Sequence, residues 1–100
     1  MGEKGGYYML ERDFQKQFLD KVKALKPGAV ILKNDARYLQ GIPDWIVIHR
    51  TGVFIFEIKA HSKASKQPNQ AYYLSQLRRM GYYTALVYPE NEEEILNAIQ

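Results

Sequence analysis

From Gly41 to Lys59 the chain reads G-I-P-D-W-I-V-I-H-R-T-G-V-F-I-F-E-I-K. Two runs rich in β-branched and aromatic residues, Trp45 to His49 and Val53 to Ala60, flank a turn around Arg50-Thr51-Gly52, the pattern of an antiparallel hairpin. Set into this apolar frame are Asp44, Glu57 and Lys59, charges that a purely structural sheet has no reason to carry. If Thr51-Gly52 forms a two-residue turn, Arg50 faces Val53, Asp44 faces Lys59, and Glu57 is the diagonal neighbour on the same side. The three charges then share one face. A turn of three residues would put Asp44 on the other face unless a bulge restored the register.

Ile58 separates Glu57 from Lys59, so the two charged side chains point together while Ile58 joins Phe54 and Phe56 on the opposite face. A carboxylate among apolar neighbours is costly unless it is paired or holds a cation. Asp44 and Glu57 can supply oxygen ligands to an octahedral Mg²⁺ that keeps several waters. Lys59 is then placed to orient an attacking water and to neutralise charge on a phosphate. Each piece has a plainer explanation, since an isolated E-x-K is usually a surface salt bridge and an Asp after Pro usually a turn residue. The conjunction of G-x-P-D on one hairpin strand with E-x-K on its partner carries the expectation of a metal-dependent phosphodiesterase centre.

One hundred residues, 46% of them hydrophobic, suffice for one domain with its own core. The chain has no cysteine, which excludes a disulfide framework and a zinc-thiolate site and favours a hard cation held by oxygen. No apolar run reaches the roughly 20 residues of a membrane span, and the Met1 to Tyr8 stretch lacks the apolar region of a signal peptide, so a cytoplasmic protein is expected. The net charge of +3 is mild, but its distribution is uneven. Lys59, Lys63 and Lys66 form one basic cluster and Arg78 and Arg79 another, whereas Glu90, Glu92, Glu93 and Glu94 gather near the C-terminal end. The basic part suits a phosphate backbone.

Outward from the hairpin, Leu10, Phe14, Phe18, Val22 and Leu25 recur at helical spacing, and Lys26-Pro27-Gly28 ends that helix. Residues 1–8 are Gly-rich and expected to be flexible. Ala29 to Lys33 is a short strand, followed by the long polar connection N-D-A-R-Y-L-Q-G-I-P, and long connections in small domains are often functional. A Lys-rich loop after Lys59 leads through Pro68-Asn69 into a second helix with Leu74 and Leu77, closed by Gly81. Tyr82 to Tyr88 is a strand that Pro89 breaks, and Asn91 is placed to cap a final helix packed by Ile95, Leu96 and Ile99. The expected fold is α/β, in the order α-β-β-β-α-β-α, with a mixed sheet of about four strands flanked by helices.

The succession of a helix bearing Glu11, then G-I-P-D, E-I-K, and Gln70 opening a helix that runs to Leu77 and Gly81, resembles the VRR-NUC (virus-type replication-repair nuclease) branch of the PD-(D/E)xK nuclease superfamily. The resemblance covers about Leu10 to Tyr88, and its combination of motifs is more specific than any one of them. It implies a restriction-endonuclease-like core, Mg²⁺- or Mn²⁺-dependent cleavage of structured DNA such as a four-way (Holliday) junction, and a homodimer. By the same resemblance Asp44 and Glu57 are the metal-binding acids and Lys59 the catalytic lysine. Glu11 is the first-helix acid that holds a water of the metal or a second ion, and Gln70 orients the site through its amide. Gln67 competes for that last role, and Glu11 also has a plain use at a helix N-terminus.

His49 is expected on the strand face away from Asp44, and His61 in the Lys-rich loop. Lys63, Lys66, Arg78 and Arg79 are candidate phosphate contacts. Tyr72, Tyr73, Tyr82 and Tyr83 are candidates for base stacking, although core or dimer packing would use many of them. No helix-turn-helix or zinc finger is present to read sequence, so a structure-selective endonuclease is the first expectation. A solitary domain of this kind suits a phage or mobile element. The alternatives are a nickase or exonuclease using the same residues, or a catalytically silent DNA-binding module.

Overall fold

The computed structural model describes residues 9–35, 37–64 and 69–100, so the expectation for residues 1–8 and the candidates Lys66 and Gln67 lie outside the described residues. The elements follow the expected order: α1 (Glu11–Leu25), β1 (Val30–Lys33), β2 (Trp45–His49), β3 (Gly52–Ile58), α2 (Gln70–Arg79), β4 (Tyr83–Val87), a 3₁₀ turn at Pro89–Asn91 and α3 (Glu92–Ile99). The four strands make one mixed sheet in the order β1-β2-β3-β4, antiparallel except for the parallel pair β3 and β4, which α2 connects.

Helical periodicity puts Phe14, Phe18, Leu19 and Val22 on one buried stripe of α1. Strand parity puts Val47, Phe56, Ile58, Ala85 and Val87 on the sheet face that meets it, and Ile95 and Ile99 of α3 complete this core. The helix stops where Lys26 donates its N–H to the Val22 carbonyl at 2.8 Å, with Gly28 at φ +84° turning the chain. Lys26 is buried with its ammonium over the Phe54 ring, 5.1 Å from the centroid, and 3.3 Å from Thr51 Oγ1. The opposite sheet face is covered by α2 over β4, where Thr84 Oγ1 donates to the Leu74 carbonyl at 3.3 Å.

Two expectations are corrected. The hairpin turns at Arg50-Thr51, not Thr51-Gly52, because His49 pairs with Gly52. The His49 side chain closes the turn: Pro27 O can only accept, so Nε2 donates to it at 3.0 Å, which leaves Nδ1 to accept from the Thr51 N–H at 3.3 Å. Gly52, at φ +150°, then begins β3 in a conformation that suits glycine. Asn91 stands at the N-cap position of α3 as expected, but its side chain makes no cap hydrogen bond to that helix. Its Oδ1 accepts from the Tyr88 N–H at 2.9 Å and its Nδ2 donates to the Leu86 carbonyl at 2.9 Å, tying the 3₁₀ turn back to β4. No helix among the described residues is long and apolar enough to cross a membrane.

Candidate active site

The observed register, continued one residue beyond the Trp45–Phe56 pair, sets Asp44 opposite Glu57 with Lys59 diagonal to it. The turn moved by one residue and displaced the pairing by two, so the parity survives. All three charges still share a face, as the sequence leads one to expect, but the directly opposed pair is two carboxylates. Asp44 is held there by its backbone: its N–H donates to Glu57 Oε1 at 3.2 Å. The other oxygen, Oε2, lies 3.4 Å from Lys59 Nζ. Lys59 stays in line beyond the end of β3 because its N–H donates to the Val87 carbonyl at 2.8 Å, extending the parallel ladder.

Glu57 is 2% exposed, and the Lys59 side chain beside it is only 11% exposed. Burial pushes the Glu57 carboxyl above the ordinary carboxylate range, and the neighbouring charge of Asp44 raises it further; Lys59 and the Asp44 N–H oppose the shift without cancelling it. An E-x-K pair that merely bridged the surface would be solvated and little perturbed. This one is buried and electrostatically unfavourable in the absence of a further positive charge.

Gln70 opens α2, the helix over β4 on this side of the sheet. Leu74 accepts from Thr84 and α2 runs back along β4, so Gln70, one helical turn earlier, is toward the Leu86 end of that strand, and Leu86 is the parallel partner of Glu57. Gln70 is 4% exposed and its Oε1 has no hydrogen-bond partner among the described residues. A buried amide oxygen left unpaired carries a cost, and Trp45 Nε1 and Glu92 Oε2 share that condition among the described residues.

Asn34 was not singled out from the sequence, yet it builds the turn that presents Asp44. Its N–H donates to the Asp44 carbonyl and its Nδ2 to the Pro43 carbonyl, both at 2.6 Å, which clamps the fully buried Pro43 in place. The only signal was an Asn at the end of a strand, where such side chains commonly bond nearby backbone. Lys33, Asn34, Asp35 and Asp44 line an open cleft of about 380 Å³. A larger cleft of about 540 Å³ between α1 and α3 contains none of the candidate acids.

The remaining candidates are dispersed. Glu11 is exposed at the first residue of α1, a helix that packs on the face opposite Asp44 and Glu57. No three Asp, Glu or His side chains among the described residues gather as a metal-holding group, so the carboxylates that meet are two. Arg78 and Arg79 are at the far end of α2, about 12 Å along its axis from Gln70, and Arg78 Nη2 donates to the Thr84 carbonyl at 3.1 Å. Lys63 is exposed in a loop that Ser62 ties to Glu90, Oγ to Oε2, at 3.3 Å. His49 lies on the face away from Asp44, as expected. Tyr83 packs on Phe54 and Phe56, and Tyr72 meets Tyr73 edge-on at 5.1 Å with Tyr72 exposed. Compared with the models of known protein families the chain matches none, and none of the curated proteins matches it in sequence.

Proposed function

We propose that this chain is a Mg²⁺- or Mn²⁺-dependent endonuclease that hydrolyses phosphodiester bonds in DNA, of the VRR-NUC type within the PD-(D/E)xK nucleases. The observation that carries the proposal is the buried Glu57 carboxylate, opposed by Asp44 and only 3.4 Å from Lys59 Nζ. The donor set fits a hard cation: burial and the neighbouring charge of Asp44 make the Glu57 carboxylate costly to ionise, and a divalent ion that keeps waters on its other positions relieves it. Asp44 and Glu57 would hold that ion, and bound there it supplies Lewis-acid activation of water and of the scissile phosphate. Lys59 holds a positive charge on the same face, where it neutralises charge developing on phosphate oxygens and orients the attacking water. Gln70, with its unpaired Oε1, orients donors that enter the site, and Asn34 fixes the backbone of Asp44.

Branched DNA such as a four-way junction is the proposed substrate, and a homodimer the proposed assembly, because cutting two strands takes two sites related by symmetry. A cytoplasmic location, that of the host cell for a phage protein, goes with this proposal. The test is a cleavage panel of labelled duplex, flap, fork, splayed and four-way-junction DNA with Mg²⁺, Mn²⁺ or EDTA, alongside sizing by light scattering. Cleavage is expected with either metal and not with EDTA. Lys59→Ala and Asp44→Asn should each lower the rate by at least about a hundredfold while the fold and DNA binding remain. An unchanged rate in either variant sinks the mechanism, and metal-independent binding without cleavage would mark a silent DNA-binding module instead.

A further inference from the structure

Arg12, Lys16 and Lys23 follow one another at four and seven residues along α1, which at 3.6 residues per turn keeps all three within about 40° of one another. They make a stripe of exposed cations beside the buried stripe of the same helix. This stripe borders a cleft of about 410 Å³ between α1 and the sheet edge at β1, with Leu19, Ile31 and Trp45 as its apolar lining. Among the described residues that lining sets three cations against one carboxylate, Asp20, which Lys16 Nζ holds at 2.8 Å. Arg12 Nε is 3.8 Å from Asp13, a loose contact between two exposed side chains. Lys33, the β1 partner of Trp45, adds a fourth cation, its ammonium 4.8 Å from the centroid of the Trp45 ring. Across the helix the balance reverses, because the α1–α3 cleft has Lys21 against Glu92 and Glu93.

We infer that this side of α1 carries the phosphate backbone of a DNA arm that leads away from the Asp44–Glu57 site. Trp45 follows Asp44 directly, so the two side chains take opposite faces at the same end of the sheet. Lys33 also lines the Asp44 cleft, which makes it the cation between the acids and the α1 stripe. The far end of α1 is tied to the hairpin turn by His49 Nε2 on the Pro27 carbonyl, so Arg12 lies toward the Asp44 end. From Arg12 to Lys23 the helix rises about 16 Å, the span of about five phosphates of one strand at 3.4 Å each. Contacts of this kind position DNA without reading bases, in keeping with the lack of sequence-reading elements. Arg78, by contrast, has its guanidinium engaged by the Thr84 carbonyl. A lipid surface also attracts cations, but Leu19, Ile31 and Trp45 are buried or half-buried below the stripe and offer a bilayer nothing to insert. A second copy docked here about a two-fold axis would oppose like charges. The inference rests on the nuclease reading for the site at which the arm begins, whereas the binding itself needs no cleavage.

The chain's single tryptophan, Trp45, is a built-in probe of this face. Binding of a labelled DNA duplex to the wild-type chain in EDTA is followed by anisotropy and by Trp45 emission over a range of salt concentrations. Emission is expected to change as DNA saturates the chain. Arg12→Gln and Lys23→Gln should each weaken binding about threefold to tenfold and lower the slope of log affinity against log salt by about one, whatever the duplex sequence. Lys21→Gln removes the same charge from the acidic side of α1 and should change neither. Emission unmoved at saturation, equal losses in Lys21→Gln, or full affinity in both Arg12→Gln and Lys23→Gln overturns the inference and leaves the nuclease reading to stand on wild-type cleavage with Mg²⁺. Should the wild type cut no DNA while those two variants still lose binding, the α1 face stands and the nuclease reading falls. Variants that keep DNA but lose phosphatidylserine vesicles, or turn a dimer into a monomer, would assign the face to another partner and overturn the inference.

Discussion

The two faces of the central sheet do opposite things. Against α1 and α3 the face is dry: Phe14, Phe18, Val22, Phe56, Ile58 and Val87 are fully buried, and the Phe18 and Phe56 rings meet edge-on with centroids 5.1 Å apart. Against α2 the same sheet buries Glu57, Gln70 and Thr84, and leaves Val30, Leu32 and Ile48 exposed at the end that α2 does not cover. One face stabilises the domain by removing apolar area from water. The other places a carboxylate where its charge is unfavourable and an amide oxygen where it has no partner. Misplaced polar groups that a fold tolerates tend to be groups that a ligand completes. An unpartnered polar atom does not by itself separate the faces, since Trp45 Nε1 beside Phe56 also lacks a partner; the buried carboxylate opposed by a second carboxylate does, and it is the physical content of the site.

The largest effect that can test this contrast is on the dry face. Phe56→Ala is expected to cost about 3–5 kcal/mol in denaturant unfolding, whereas Ile48→Ser, on the uncovered half of the other face, should stay within about 0.5 kcal/mol. Comparable losses would mean that the exposed half is covered in solution.

Next in size is the response of Glu57. With its carboxyl raised above the usual value by burial and by Asp44, the folded chain keeps a proton that the unfolded chain has lost. The resulting stability is fully present below the unfolded pKa and is lost as pH rises through the folded one. In metal-free buffer, melting temperature should therefore fall as pH rises above the ordinary carboxylate range. Glu57→Gln should flatten that slope and melt higher than wild type at neutral pH. Mg²⁺ at a hundred times its Kd should stabilise the wild type by about 2.7 kcal/mol and the variant by much less. Equal stabilisation of both would remove Glu57 from the metal set.

The smallest expected effect belongs to Asn34→Ala, about 1 kcal/mol for two hydrogen bonds at a loop base. Its loss of cleavage should exceed its loss of stability, because Asp44 would no longer be held opposite Glu57. Cleavage that declines only in step with unfolding would make Asn34 purely structural.

Much of this was legible in the chain because it depends on local geometry. A period of 3.6 residues places Phe14, Phe18 and Val22 on one stripe wherever the helix lies, and a period of two keeps Glu57 and Lys59 together and Ile58 apart from them. The element order and the shared face of Asp44, Glu57 and Lys59 follow from those periods. What stands across from what does not. Asp44 opposes Glu57, not Lys59, because the His49 imidazole, anchored on Pro27 from the end of α1, closes the turn one residue early. Asn34 reaches Pro43 and Asp44 only once β1 has paired with β2. Gln70 is brought to the Leu86 end of β4, and buried, only because α2 runs back along that strand. Tertiary packing alone buried Glu57 and Lys59 while leaving Tyr38 in water, since burial depends on which elements cover which face, a property that no residue carries by itself.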